Sequence, residues 1–193
     1  TSPEVLTGSS IFKPWTSRPK GTVDTLDRLP SRDARSEVEA VIREVVAAEG
    51  PIHVVRLSKL VAAAFGLDRV AQARVVSILK CLPAEFKAPR DKAYAWPSGL
   101  EPETWAGFRR NIDASNRSFE HVHPAEIVNA MCALVIRGAG LYEDELRRET
   151  LRFFGLLRMT PNMTAILDGA LKRAIDMGRL ERTGSGVIGV PSG

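Results

Sequence analysis

Apolar residues recur with a helical period in the first half of the chain. Between residues 36 and 48 they occupy positions 38, 41, 42, 45 and 46, which predicts an amphipathic helix that Gly50-Pro51 ends. A short β-branched segment at 52–54 follows, and then two further helices are predicted at 55–65 and 69–82. Gly66 suits the left-handed conformation in which many helices end.

A small hairpin is predicted directly after the third helix. Strands near 85–88 and 93–96 flank the polar turn Pro89-Arg90-Asp91-Lys92, and Pro83 separates them from the helix. Helix, short strand, helix, helix and hairpin is the order of a winged helix, which is a helix-turn-helix core with a β-hairpin appended.

The same order recurs 89 residues later. Glu37 corresponds to Glu126, Phe65 to Phe154 and Gly66 to Gly155, and the correspondence runs over some 40 residues without a gap. Such matching predicts a duplicated module, whose register slips by about five residues after the third helix. In the second copy we expect helices at 124–137, 143–154 and 161–178, a strand at 141–142 and a hairpin at 179–183 and 186–190.

The predicted fold class is therefore mainly α with small β-hairpins, arranged as tandem winged-helix modules at 36–97 and 124–193. Residues 1–35 form an extended arm over the first module, anchored by Phe12, Trp15 and Leu26. Residues 98–123 form a connector, in which 101–110 is expected to make a short helix that places Trp105 and Phe108 between the modules.

The composition is that of a folded protein. Of 193 residues, 44% are hydrophobic and 26% are charged, and neither a membrane-spanning apolar run nor a secretion signal is recognisable. We therefore expect a cytoplasmic protein without membrane contact, and the termini suggest a piece of a longer chain. Cys81 and Cys132 lie in apolar helical patterns and are expected to be buried free thiols.

The basic residues are concentrated in the first copy. Residues 1–100 contain 15 Lys and Arg against 11 acids, whereas the remainder is balanced at 12 against 12. A solvated helix face and a polyanion-binding surface are equally consistent with the charge alone. In a winged helix, however, the third helix enters the major groove and the wing touches phosphate. The predicted nucleic-acid contacts of the first module are Arg69, Gln72, Arg74 and Lys80 on the third helix and Lys87, Arg90 and Lys92 on the wing.

The third helix of the second copy is a poorer candidate. It offers Asn162, Thr164, Lys172 and Arg173, but Asp168 at an outward position would repel phosphate. The two copies are therefore expected to perform different tasks.

No constellation for catalysis, a cofactor or a metal is recognisable. His121 and His123 have no third ligand at a suitable spacing and are expected to cap or pack against the helix that follows. The segment GSGVIGV lacks the Lys-Ser/Thr ending of a nucleotide-binding loop and is better explained as the wing turn of the second copy. We therefore predict that the chain itself is not an enzyme.

Several segments together resemble one known protein family. FKPW, GTVDTLDRLP, EGPIHVVRLSKLVAAAFGLDRV and AWPSGLEPETWAGFRR are similar to the C-terminal region, a domain of unknown function, of large bacterial superfamily-1 helicase-like proteins. In that family the region often accompanies a restriction-endonuclease-like nuclease. The resemblance covers residues 11–190 and rests on structural signatures, so it carries over no functional residue.

The resemblance implies an accessory region of a nucleic-acid-processing motor whose catalytic motifs lie outside this chain. We therefore expect a non-catalytic region that contacts nucleic acid, namely DNA, and other domains of the parent protein. The alternative is a docking scaffold between motor and nuclease domains. A free-standing transcription regulator is a third, weaker hypothesis.

Overall fold

The computed structural model of the protein describes residues 6–113 and 117–191. It is mainly helical with small sheets, which confirms the broad fold class predicted above. The helices of this part of the chain are α1 (Val23–Asp27), α2 (Arg32–Glu49), α3 (Val54–Ala64), α4 (Gln72–Leu79), α5 (Pro124–Gly138), α6 (Glu143–Phe153) and α7 (Pro161–Asp176). Its strands are β1 (Ser9–Ile11), β2 (Ile52–His53), β3 (Tyr94–Ala95), β4 (Phe108–Arg110), β5 (Leu141–Tyr142), β6 (Glu181–Arg182) and β7 (Val187–Gly189).

The chain divides into two compact units. The first unit is Lys13–Thr104, and the second unit combines the segment that ends at Phe12 with the chain from Trp105 onwards. Each unit has its own hydrophobic core, which is built mainly from its three longer helices.

In the first unit, α2 and α3 pack on each other and α3 packs on α4. The helical period seen in the sequence explains the arrangement, because every apolar position predicted on α2 is buried. Phe65, directly after α3, and Ile78 of α4 complete the core. β2 pairs antiparallel with β3, and this pair closes one end of the unit.

In the second unit, α5 packs on both α6 and α7. Phe153 and Phe154 meet edge to face with their ring centroids 5.1 Å apart, and both are buried in the core. The sheet beside these helices has the strand order β5-β7-β6, and all its pairs are antiparallel.

The element boundaries repeat with the offset of 89 residues seen in the sequence. α3 and α6 both have 11 residues and begin at Val54 and Glu143. The helix before each of them ends at Glu49 and Gly138. The glycines that follow α3 and α6 both adopt a left-handed backbone conformation, with φ of +80° at Gly66 and +77° at Gly155.

The register slips between the third helix and the following strand, and the slip is four residues rather than the predicted five. Ala95 pairs with Ile52 in the first unit, and Ile188 pairs with Leu141 in the second. The slip arises after the start of the third helix, since α4 and α7 still begin 89 residues apart. α4 has 8 residues whereas α7 has 16.

The strand pairing after the third helix is less extensive in the first unit than in the second. A strand was expected at 85–88, but Ala84–Phe86 is a 3-10 turn and only an isolated bridge joins Lys87 to Ala95. In the second unit Arg182 of β6 pairs with Ile188, which occupies the same sheet position as Ala95. Lys87 and Arg182 are therefore equivalent positions of the two units.

The predicted third helix of the first copy is also too long. Positions 69–71 precede α4, because Ala71 is extended and serves as its N-cap. At the other end, Cys81 and Leu82 bond back three residues rather than four, so the helix tightens into a turn before Pro83.

Two expectations about the arm and the connector were wrong. Phe12 belongs to the second unit, whereas Trp15 and Leu26 pack against the core of the first. The segment 101–110 forms no helix: Phe108–Arg110 is a strand that pairs in parallel with Ser9–Ile11. Pro102 and Gly107 interrupt the helical pattern, and the strand pairing satisfies the backbone groups instead.

Candidate nucleic-acid interface

The residues predicted to contact nucleic acid occupy three places on the first unit. Arg69 lies in the segment before α4 and Gln72 is the first residue of the helix, and both are exposed. Lys80 lies just beyond the other end of the helix, about 12 Å from Gln72 along the helix axis. Lys87, Arg90 and Lys92 are exposed in the loop that precedes β3.

Arg74 is engaged within the protein. Its Nη1 donates to the carbonyl oxygen of Leu26 at 2.5 Å, and its Nη2 forms an ion pair with Asp27. This guanidinium therefore ties the end of α1 to α4. Its predicted role in nucleic-acid contact stays a prediction, but the structure gives it a structural task.

The loop 87–92 is held in place by contacts at both of its ends. The amide N–H of Val54 donates to the carbonyl of Ala93 at 2.9 Å, and Trp96 N–H donates to Phe86 O at 2.9 Å. Inside the loop, the Asp91 carboxylate accepts a hydrogen bond from the indole Nε1 of Trp96 at 2.8 Å. The acid is thereby turned towards Trp96, while the cations around it remain exposed.

The outward stripe of α4 is charged or polar at its ends and apolar in the middle. Val75 and Ile78 face the core, so Gln72, Ala73 and Val76 form the outer side, and Val76 is 44% exposed. A valine at the centre of such a stripe can contact a thymine methyl group or an apolar side chain of a protein.

An apolar cleft of about 350 Å³ lies between α3, the end of α4 and the loop 87–92. Its walls are formed by Val54, Leu79, Leu82, Pro89 and Tyr94. Lys87, Asp91 and Lys92 also line this cleft, so the structure brings the two predicted lysines together beside an acid. Arg90 shares with Lys87 a second depression on the other side of the loop.

In the second unit, several of the positions equivalent to the lining of the apolar cleft are occupied by ion-paired residues. Arg182, the counterpart of Lys87, contacts Glu143 at 2.5 Å between Nη2 and Oε2. Arg147 also pairs with Glu143, and its Nε lies 2.7 Å from Asp168 Oδ1. Arg147 and Arg182 are thus neutralised by acids of the same unit.

The sequence pattern missed a buried ionic cluster in the second unit. Glu126 is fully buried, and its carboxylate accepts from Arg117 Nη1 at 2.8 Å and from Arg109 Nη2 at 2.9 Å. The Arg117 guanidinium lies over the ring of Phe12, 4.2 Å from its centroid. Burial by itself would raise the pKa of Glu126, but the attraction and hydrogen bonds of the two arginines outweigh it and hold the pKa below its ordinary value.

The first unit contains an exposed version of the same pair. Nη2 of Arg28 lies 3.6 Å from Oε1 of Glu37. Arg28 is 89 positions before Arg117, and Glu37 is 89 positions before Glu126. A charged pair recurring at the spacing of the repeat is the signal from which the cluster could have been inferred.

His53 and His123 cap helices, and for His123 this role was expected. Nδ1 of His123 accepts from the Ala125 amide at 3.0 Å, and Nδ1 of His53 accepts from the Val55 amide at 3.2 Å, so each caps a helix. Burial lowers the pKa of His53, although Asp91 acts in the opposite direction, and a neutral ring is the form that accepts at Nδ1. Cys81 and Cys132 are buried free thiols, as predicted.

The described residues were expected to hold no metal ion and to make no membrane contact, and two of their features bear on these points. Within residues 6–113 and 117–191, His, Cys, Asp and Glu form no cluster of three that can hold a metal ion. The same residues include no helix with the length and apolar character needed to cross a membrane.

Comparison with known proteins gives one match. Residues 27–75 match a family described as a protein of unknown function, DUF3320, and these are 49 of the 193 residues. The matched segment includes α2, β2, α3 and the first half of α4. No curated protein and no solved structure matches the chain. The similarity supports a domain of unknown function in the first unit.

Proposed function

We propose that each unit is a winged helix and that the first unit contacts nucleic acid through α4 and the loop 87–92. In the second unit, the order helix, strand, helix, helix and two further strands supports the first part of this proposal, as does the sheet order β5-β7-β6 with the last strand in the middle. The first unit has the same order with one of the two strands reduced to an isolated bridge. α4 and α7 are then the third helices of their modules, which commonly enter a groove of the duplex.

The observation that carries the proposal is the set of exposed cations, unpaired among the described residues, around α4 and the loop 87–92. Arg69, Lys80, Lys87, Arg90 and Lys92 are exposed, and none makes an ion pair with the described part of the chain. In the second unit, by contrast, Arg182, the counterpart of Lys87, is paired with Glu143, and Lys172 of α7 is paired with Asp176. Unpaired cations attract phosphate, whereas cations already neutralised by carboxylates gain less from it.

The five cations suit phosphate contact better than base reading. Lysine provides a charge without a fixed hydrogen-bonding geometry, and the centre of the outward stripe is apolar. Gln72 and Arg69 are the exposed residues near the beginning of α4 that can read a base edge, because the amide can bond bidentately to adenine and the guanidinium to guanine. We therefore propose binding with modest sequence preference. Arg74 is left out of the contact set because its guanidinium is engaged with Asp27 and Leu26.

In this proposal the chain is a non-catalytic, accessory region of a larger nucleic-acid-processing protein. The resemblance to helicase-like proteins supplies the context, and the match to a domain of unknown function is compatible with it. A docking scaffold between domains is a second candidate, which the apolar cleft beside Lys87 favours.

The proposal can be tested by fluorescence anisotropy with a labelled DNA duplex and the corresponding single strand. If all five cations contact phosphate, the logarithm of the duplex affinity should fall with the logarithm of salt with a slope of about 4 to 5. The triple variant Lys80→Glu, Lys87→Glu, Lys92→Glu should bind much more weakly, and its slope should be smaller by about 3.

A matched control is available in the second unit. Arg148, Arg158 and Arg173 are exposed and likewise form no ion pair with the residues that the structure describes. Changing these three to Glu alters the net charge by the same amount, so it should reduce affinity far less. The proposal is wrong if both triples weaken binding equally, or if the protein binds neither DNA at low salt.

A further inference from the structure

The cleft between α3, α4 and the loop 87–92 has no use in the contact set above, although it adjoins it. Its walls are contributed by separate elements: Val54 begins α3, Leu79 ends α4 and Pro89 lies in the loop. Leu82 and Tyr94 form apolar walls, and both are largely buried. A large apolar side chain would bury its surface here more readily than a nucleobase, whose polar edge requires hydrogen-bonding partners.

The equivalent positions of the second unit indicate which charge a ligand of the cleft should carry. In the second unit the positions of Val54 and Leu79 are occupied by Glu143 and Asp168. Arg182, at the position of Lys87, pairs directly with Glu143. The second unit therefore supplies its own carboxylates at the place where the first unit has apolar walls and a lysine.

Lys87 consequently lacks the carboxylate that its counterpart has within the same unit. Lys92, on the same rim, also makes no ion pair with any described residue, and the Asp91 carboxylate is bound to Trp96. The cleft is thus apolar at its centre, and its edge carries two lysines and one acid, Asp91, whose carboxylate accepts a hydrogen bond from Trp96. Such a site is complementary to an apolar side chain flanked by acids.

We propose that this cleft is a docking site for an acidic peptide segment of another protein or domain, with a large apolar side chain in the cleft and its carboxylates on Lys87 and Lys92. The site goes beyond nucleic-acid binding and does not depend on it. It is preformed, because the Val54 N–H to Ala93 carbonyl bond of 2.9 Å and the pairing of β2 with β3 fix its walls.

The test uses a short fluorescein-labelled peptide with a central Leu-Phe pair flanked on both sides by glutamates. Two control peptides replace either the glutamates by lysines or the Leu-Phe pair by serines. The acidic peptide should bind, and each control should bind at least about tenfold more weakly, since burial of one such side chain is worth about a factor of ten or more. Equal binding of all three peptides, or none by the acidic one, overturns the proposal.

Protein variants distinguish the cleft from the rest of the basic surface. Leu79→Asp introduces the acid of the second unit and should weaken the acidic peptide about tenfold or more. Val76→Asp is the matched control, because Val76 is an exposed apolar residue of the same helix that does not line the cleft. It should leave peptide binding unchanged, and equal losses from the two variants would contradict the assignment. Lys87→Ser changes an exposed side chain, so its loss of binding tests the rim even if Leu79→Asp is poorly folded.

The same titrations with DNA show which ligand uses the cleft. We expect Leu79→Asp to weaken the peptide more than the DNA duplex, and Arg69→Glu to weaken the duplex more than the peptide. If Leu79→Asp abolishes binding of the DNA duplex, and the acidic peptide does not bind the unmodified protein, then the cleft binds nucleic acid and the proposal is wrong. A failure of the duplex alone would refute the nucleic-acid proposal and leave the peptide site intact.

Discussion

Glu126 and Glu37 occupy equivalent positions of the two units but different environments, so replacing each of them by glutamine tests the energetics of the duplication. Glu126 is 0% exposed and its partner Arg117 has a side-chain exposure of 3%. Glu37 and Arg28 have side-chain exposures of 45% and 54% and are 3.6 Å apart. The same chemical change is thus made once in the interior and once at the surface.

The expected losses differ several-fold. Glu126→Gln leaves the guanidinium groups of Arg109 and Arg117 buried without their counter-charge, which typically costs about 3 to 5 kcal/mol. Glu37→Gln removes an exposed ion pair, and such pairs contribute only about 0 to 1 kcal/mol because water and salt screen them. We therefore expect a large loss of stability in the second unit and a small one in the first.

Hydrogen exchange measures the two units separately, because each amide reports the opening of its own helix. The amides of α5 should lose about 3 kcal/mol or more of protection in Glu126→Gln, while those of α2 should lose less than about 1 kcal/mol in Glu37→Gln. Similar losses in the two variants, or a loss below about 1 kcal/mol for Glu126→Gln, would refute the account of the buried cluster.

Three further predictions follow from particular contacts. The second unit should lose stability in acid, because the pKa of Glu126 is lower in the folded protein than its ordinary value of 4.5. The resulting stabilisation is complete above pH 4.5 and is lost as the pH falls through the lower pKa of the folded state. Urea midpoints measured against pH should show this loss, and the Glu126→Gln protein should lack it. Arg74→Ala should lower the stability of the first unit by about 1 kcal/mol, since its guanidinium pairs with Asp27 and donates to the carbonyl of Leu26. The salt slope of DNA binding should not change. A slope smaller by about 1 would instead identify Arg74 as a phosphate contact. Gly66→Ala should lower the free energy of unfolding by about 1 kcal/mol, because φ is +80° and an alanine is strained in this conformation. The loss cannot come from a clash, since a Cβ at this position meets no atom within 4 Å. An unchanged midpoint of urea denaturation would show that the backbone relaxes freely.

The elements with a strong period were predictable from the sequence. α2, α3, α5 and α6 follow from apolar residues at helical spacing, and Gly66 and Gly155 mark where α3 and α6 end. A helix is encoded within its own residues, so a local pattern is sufficient to locate it.

Features that join distant segments were not predictable in the same way. The parallel pair of β1 and β4 connects strands about 100 residues apart, and neither strand has more than three residues in which to show a period. The wing strand at Lys87 is a single bridge and has no period at all.

The candidate site shows the same division between local and distant information. The exposure of Arg69, Lys80, Lys87, Arg90 and Lys92 follows from their polar character, but the engagement of Arg74 depends on Asp27, which lies 47 residues earlier. The apolar cleft requires residues of three elements to meet, and its significance depends on comparison with Glu143 and Asp168 in the other unit. Only the folded chain places these groups together.

The central claim is that the duplicated units have diverged, so that the first contacts nucleic acid and the second does not. The most direct test is to titrate the isotopically labelled protein with a short DNA duplex at low salt and to follow the backbone amide resonances by NMR. We predict that the changes concentrate at positions 69–72, 80 and 87–92 and fade as salt is added. Changes centred on α6 and α7, or no changes in either unit at low salt, would contradict the claim.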